Sequence, residues 1–420
     1  MSLVTLSVDS DEKDVKEKED REDFTPIQTH LRPFLVLLQC FALHYPENGQ
    51  SLSHMKKIKA VHPMESPTRE SKLSVQFVYC LVILIIMSLN VLRYIPSFWV
   101  GYDFIPNLTT PRVINIVWFC QCFFNSVFIF KTCSRYGNLH AFIHFYNSIS
   151  TDEISRRLNL KTSYVKFRKI VWFMVAIGSG MIIFNVTGCF LIIFIEENKT
   201  FEILQTDPFP ASRLVTLPIL IVGLYCFAAW LLPLGLVALL LLLIKYQFDT
   251  ITSRLQKLLK EDGQKAIFKI NEIRLKHLQI TKAVEILDRD IRLFFAGVYL
   301  AGILICCFIA YNLINRKISG TFEMVMYLYW LIMNKIIIIS SSVLAAQVNE
   351  AVSLFVPVIH LNPDLFDTGY PKQVSLFVSK LNGPAVGFTM MSTVTITKEL
   401  LLTLAGLYIS YLFLLMQFQL

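Results

Sequence analysis

Long apolar runs and short polar ones alternate along the chain. Seven runs approach or exceed the roughly 20 residues that a helix needs to cross a hydrocarbon core. They are residues 73–95, 113–131, 170–195, 214–244, 293–314, 322–347 and 394–418. The fourth is too long for an upright span and is expected to tilt or to project beyond the bilayer. An eighth run, Pro33 to Tyr45, holds only about a dozen residues, so it is expected to lie in the interface or pack on the bundle. The pattern predicts an all-α, polytopic protein with seven transmembrane helices.

Between the fourth and fifth runs the periodicity changes. Leu255, Leu258, Leu259, Ile267, Ile270, Ile273, Leu278, Val284, Leu287 and Ile291 recur at mixed helical spacings, with charged residues on the other faces. This predicts amphipathic helices extending from spans four and five, with a break near Asp262-Gly263. Such helices either hold subunits together or cap their own bundle. After the sixth run, Asn362-Pro363 and Gly369-Tyr370-Pro371 mark turns. A short helix from about Lys372 to Lys380 is expected before Asn382-Gly383-Pro384, so the last element divides into a cytoplasmic and a spanning piece. The organisation that follows is a tail with a short interfacial helix (1–72), a six-helix bundle (73–347) carrying the 246–291 extension, and an anchor helix with the last span (348–420).

Composition sharpens this picture. Apolar residues make up 54% of the chain and charged residues 17%, where a soluble domain carries about a quarter. Mean hydropathy is +0.54. These values exclude a soluble enzyme, a disordered scaffold and a disulfide-rich secreted domain. Of 39 Lys and Arg, 31 fall in segments on one side of the predicted membrane and 5 on the other. The positive-inside rule therefore places the N-terminus in the cytoplasm and the C-terminus outside. The net charge of +8 reads as cytoplasmic loops facing anionic lipid, and no nucleic-acid partner is expected. The acidic stretch from Asp9 to Asp23 lacks the features of a signal peptide.

The sequons at Asn107 and Asn198 fall in predicted outer loops and are candidate glycosylation sites, while a third at Asn185 lies inside a span. None of the nine Cys falls in an outer loop, so no extracellular disulfide is expected. Neither His-Glu-x-x-His nor Gly-x-Ser-x-Gly occurs, and His140 and His144 read as a surface helix pair. No catalytic residue, metal site or cofactor is expected, an unidentified chromophore excepted.

The last run carries a stripe. Thr395, Glu399, Thr403, Gly406, Ser410, Phe413 and Gln417 recur every three or four residues, so they share one helix face. A stripe of this kind lines a pore when several copies surround an axis, with Glu399 attracting cations at the cytoplasmic mouth. Small and polar residues also simply hold membrane helices together.

The end of the chain, from Ser410-Tyr411 to Gln417-Phe418, resembles the signature of invertebrate gustatory receptors: Thr-Tyr, five hydrophobic residues, then Gln-Phe. Ser in place of Thr keeps the hydroxyl. Gly387-Phe388-Thr389 and the stretch from Thr397 to Gly406 are similar to that family's approach to the motif. The resemblance implies a non-selective cation channel in the plasma membrane of sensory neurons, a homo- or hetero-tetramer opened directly by its stimulus. In it Glu399, Thr403, Gly406, Ser410, Phe413 and Gln417 line the pore, and Ser410, Tyr411, Gln417 and Phe418 carry the motif. Stimulus pockets in the family lie in the outer half of the first six spans.

Within the superfamily the chain looks more like the nematode branch of light and hydrogen peroxide receptors, which directs attention to Tyr79 and Trp330 as stimulus-sensing candidates. Sugars and bitter compounds are the alternative stimuli. Lys335, five residues beyond Trp330, is a third candidate; a carboxylate or a backbone carbonyl is its expected partner. A G-protein-coupled receptor would need the opposite orientation, which the charge distribution does not support.

Overall fold

A computed structural model describes residues 26–45, 75–98, 109–133, 137–160, 164–209, 212–261, 263–315, 320–360, 375, 377–379 and 386–417. It is a helical bundle. The helices are α1 (Ile27–Cys40), α2 (Val75–Leu92), α3 (Thr109–Thr132), α4 (Asn138–Thr151), α5 (Glu153–Arg157), α6 (Tyr164–Phe190), α7 (Lys199–Thr206), α8 (Arg213–Glu261), α9 (Gly263–Asn315), α10 (Thr321–Ser353), α11 (Phe355–His360) and α12 (Lys398–Gln417). A two-stranded antiparallel hairpin, β1 (Thr389–Met390) and β2 (Val394–Thr395), precedes α12. Among the described residues, six helices are long and apolar enough to cross a membrane: α2, α3, α6 with the π turn that follows it, α8, α9 and α10 with α11. The protein is therefore a polytopic, all-α membrane protein.

The two longest helices organise the rest. α8 has 49 residues and α9 has 53. At 1.5 Å per residue they run for about 75 and 80 Å, well beyond a hydrocarbon core of roughly 30 Å. They form one hairpin with its turn between Glu261 and Gly263, so the excess length of the fourth apolar run projects rather than folds back. We call the end near this turn the hairpin end and the opposite one the far end.

α8 stays helical through Pro233, which has no N–H to donate to the carbonyl four residues back. That carbonyl, on Ala229, accepts instead from Asn125 Nδ2 of α3 at 3.1 Å, and both residues are buried. A neighbouring helix thus satisfies the backbone group that proline frees, as low-dielectric surroundings require.

Of the short Pro33–Tyr45 run only Pro33–Cys40 is helical, and its helix starts earlier. α1 begins at Ile27 and buries Ile27, His30, Leu31, Phe34 and Leu38 against α6, α4 and the bundle. Its first turns alternate polar and apolar residues, which hides them from a search for apolar runs. Phe34 reaches α8 at Gly235, where any Cβ would stand 2.7 Å from the ring. Two helix starts are capped locally, Asp152 accepting from Ser155 N at 2.8 Å and Asn198 from Phe201 N at 3.0 Å, while the start of α10 is capped from afar by Glu196, which accepts from Phe322 N at 2.6 Å.

The last predicted span starts later than expected. Val394 and Thr395 are strand residues, so Thr395 leaves the helical stripe. The turn of the hairpin holds Met391 and Ser392 at φ 52° and 62°, conformations rare for residues with a side chain. α9 clamps this hairpin. Asp288 accepts from Thr389 N at 2.6 Å and from Thr389 Oγ1 at 2.8 Å, and Arg292 Nη1 donates to Ser392 Oγ at 2.5 Å. Residues 377–379 are helical, and the rest of the expected Lys372–Lys380 helix, apart from Ser375, lies outside the described residues.

Candidate functional site

Two features stand out: a cavity in the far half of the bundle, and one face of α12. The cavity, of about 40 Å³, is walled by Asn115 and Trp118 of α3, Cys189 of α6, Gln205 of α7, Gly223, Phe227 and Trp230 of α8, Ile305 and Ile309 of α9, and Trp330 and Asn334 of α10. A water occupies roughly 10–15 Å³ by this measure, so a guest larger than a few atoms must part the walls.

Its walls are aromatic and locked. Trp118 packs on Phe227 with ring centres 4.8 Å apart, and Trp330 meets Tyr327 edge-on at 5.6 Å. Trp330 Nε1 donates to Asn185 Oδ1 at 2.8 Å, while Asn185 Nδ2 donates to Tyr329 Oη at 3.2 Å and to the Met181 carbonyl at 2.7 Å. Asn185, fully buried, is thus the polar tie between α6 and α10. Trp230 is also buried, and its Nε1 has no hydrogen-bond partner among the described residues.

α7 closes the far end. Phe201 stacks over Trp330 at 6.4 Å, and Gln205 enters the wall. The segment is fastened by two cations, Arg93 just past the end of α2 and Arg112 in the first turn of α3. Arg93 Nη2 donates to the Gln205 carbonyl at 2.7 Å and Arg112 Nε to the buried Asp207 carboxylate at 2.9 Å. Tyr94 Oη donates to the Leu204 carbonyl at 2.6 Å. Asn198, the described candidate for glycosylation, donates from Nδ2 to Glu323 Oε2 at 2.7 Å. Asn107 lies outside the described residues.

The stimulus candidates separate. Trp330 is in the cavity wall. Tyr79 is not: it sits on α2, where its hydroxyl donates to the Cys40 carbonyl at 3.0 Å and lies 3.0 Å from Tyr225 Oη. Lys335 meets an aromatic face where a carboxylate or carbonyl was expected, its Nζ 4.9 Å from the centre of the Tyr408 ring.

α12 packs on α9 and α10. Leu400, Leu401, Leu404, Tyr408 and Leu412 are half-buried, while Glu399, Thr403, Gly406, Ser410, Phe413 and Gln417 are exposed. At about 100° per residue these two sets lie on opposite sides of the helix. A Cβ at Gly406 would meet nothing within 4 Å. Thr403 Oγ1 donates to the Glu399 carbonyl at 3.1 Å and Ser410 Oγ to the Gly406 carbonyl at 2.9 Å. Both hydroxyls thus spend their proton on the helix and keep lone pairs free on the open side. Tyr411 is half exposed, and Phe418 lies outside the described residues. No group of three or more His, Cys, Asp or Glu suited to a metal occurs among the described residues.

Sequence reasoning missed Trp118, Trp230, Asn115 and Gln205, which come from three separate stretches of chain, α3, α7 and α8. Tryptophans away from a predicted interface were the available signal.

Six membrane-capable helices around an aromatic cavity near one end define a polytopic helical membrane protein. The profile of the 7tm chemosensory receptor family matches residues 31–420, and the chain belongs to that family. Its fold is similar to that of the insect olfactory receptor OR5 from Machilis hrabei, with a TM-score of 0.65 at 14% identity, over 94% of this chain and 99% of that one. The same receptor in complex with eugenol gives a TM-score of 0.67 at 14% identity and the same coverage. A search of curated proteins finds no significant match.

Proposed function

We propose that the chain is one subunit of a stimulus-gated, non-selective cation channel of the gustatory-receptor type, with four copies around a central axis. The observation that carries this reading is the polar face of α12, left open on the side opposite its docking face. A membrane helix with Glu399, Thr403, Ser410 and Gln417 turned outward is costly in lipid and suits a water-filled axis. Free hydroxyl lone pairs and the Glu399 carboxylate suit cations. In this arrangement α12 is the seventh span, Glu399 sits at the cytoplasmic mouth, and the hairpin end, where the basic segments collect, is cytoplasmic. The division into tail, six-helix bundle and anchor-plus-pore follows from the same placement.

The far-half cavity is the stimulus pocket. Its walls are apolar and aromatic, so they favour a small, largely apolar guest, and the unpartnered Trp230 Nε1 calls for one hydrogen-bond acceptor on it. A sugar, with a hydroxyl on nearly every carbon, fits this lining poorly. The eugenol complex of the Machilis hrabei receptor supports the pocket reading, since a similar fold there takes a small molecule. Light and hydrogen peroxide, acting through Trp330 and Tyr79, are the stimuli of the related branch and the first to apply.

Expressing the chain alone in cells of low background, and recording whole-cell current during violet light, peroxide and a panel of bitter compounds and sugars, tests the proposal. A rapid cation current without added G-protein is the expected result. Silence to all of them, with the protein confirmed at the surface, overturns the homomeric channel.

A further inference from the structure

An ammonium group within a membrane span is costly and persists where a partner or a pathway needs it. Lys335 lies half-buried midway along α10, between Ile332 and Ile336, which are 54% and 49% exposed. Its Nζ stands 4.9 Å from the centre of the Tyr408 ring. Tyr408 belongs to the docked face of α12. The residue before Lys335, Asn334, lines the far-half cavity with Trp330, and its Nδ2 donates to the Trp330 carbonyl at 2.9 Å. One turn of α10 therefore touches the cavity with one residue and the last helix with the next.

We infer that the Lys335–Tyr408 contact is the latch through which the cavity governs the last helix, holding that helix shut until a guest displaces Asn334. The inference rests on the channel reading above. Neighbouring helix residues are rigidly about 100° apart, so a guest that shifts or turns α10 at Asn334 moves the Lys335 ammonium with it. A cation over a ring face is directional and strongest away from water, so a small movement releases it. The other charged tie between α10 and α12 cannot do this job. Lys398 Nζ and Glu350 Oε1 are 2.5 Å apart, but their side chains are 68% and 43% exposed, so water and salt weaken that pair. Lys335 is thus a positioning residue: it touches neither the cavity nor the open face of α12.

The test needs no identified stimulus, because it reads the current that flows without one. Lys335→Met removes the charge and keeps the length, and Tyr408→Leu removes the ring. Lys335→Arg and Tyr408→Phe keep both halves of the contact. With surface density matched by an extracellular tag, Lys335→Met and Tyr408→Leu each raise stimulus-free current about tenfold, and the double variant no further. Lys335→Arg and Tyr408→Phe stay near wild type, and reversal potentials are unchanged in all. A double variant whose effect is the product of the singles, or a Tyr408→Phe that behaves as Tyr408→Leu, overturns the latch.

Variants that fail to reach the surface are tested as purified protein, where the melting shifts of the singles must be non-additive in the double; additive shifts overturn the contact. Stimulus-evoked wild-type current with unaltered stimulus-free current in both single variants defeats the latch alone. A wild-type chain that never conducts while the melting coupling persists defeats the channel reading beneath it.

Discussion

Asn125 and Asn185 both use a short amide to settle a polar problem inside the bundle. Asn125 takes the Ala229 carbonyl that Pro233 leaves open, and Asn185 holds Trp330 and Tyr329. Asn125→Leu should lower the unfolding free energy by about 1–2 kcal/mol, since it orphans a buried carbonyl, and a thermal melt in detergent checks it. If the melt is unmoved, the carbonyl has another partner. His44 makes a different prediction. Burial, with nearby His140 adding to it, pushes its imidazole from 6.5 down to about 4. The native state therefore prefers the neutral ring. Its contribution is complete above pH 6.5 and is lost as pH falls toward 4, roughly 1 kcal/mol of it by pH 5.5. The melting temperature should drop between pH 7.5 and 5.5, and less so in His44→Gln; equal drops in both would falsify the assignment. Neither asparagine was legible as a support. Asn185 drew notice only as part of a sequon, and the need for Asn125 arises from a proline more than a hundred positions away.

Elements were far more legible than contacts. The six long helices announce themselves because a continuous apolar run has few other fates, and the 3- and 4-residue spacings after Tyr246 continue α8 and α9 past the membrane. The β hairpin escaped because strands of two residues carry no period. It is nonetheless the part that launches α12. Asp288→Ala leaves Thr389 N and Oγ1 without their partner. It should therefore loosen the hairpin and expose it to limited proteolysis at the Met391–Ser392 turn, with the rest of the bundle intact; a digestion pattern like wild type would count against the clamp. The face of α12 carries its own prediction. Glu399→Gln or Gln417→Ala should shift the reversal potential under mixed cations while surface expression holds. If both reversal potentials match wild type, the stripe does not line the path.

At the scale of the molecule, the cavity and the open helix face were only partly legible. The motif from Ser410 to Phe418 pointed to the last helix, and the stripe had the right spacing. The cavity was invisible because its lining is scattered over five long helices and the α7 segment, with α8 giving five residues and the others one to three each. What the single chain leaves open is the polar side of α12, which the proposed channel would complete with other copies. The most direct test is a cryo-electron-microscopy reconstruction of the full-length protein purified in lipid nanodiscs. The expected result is a fourfold particle with α12 at the axis and Thr403, Gly406, Ser410 and Gln417 facing it. A monomer, or an assembly whose α12 faces lipid on its outer rim, would contradict it.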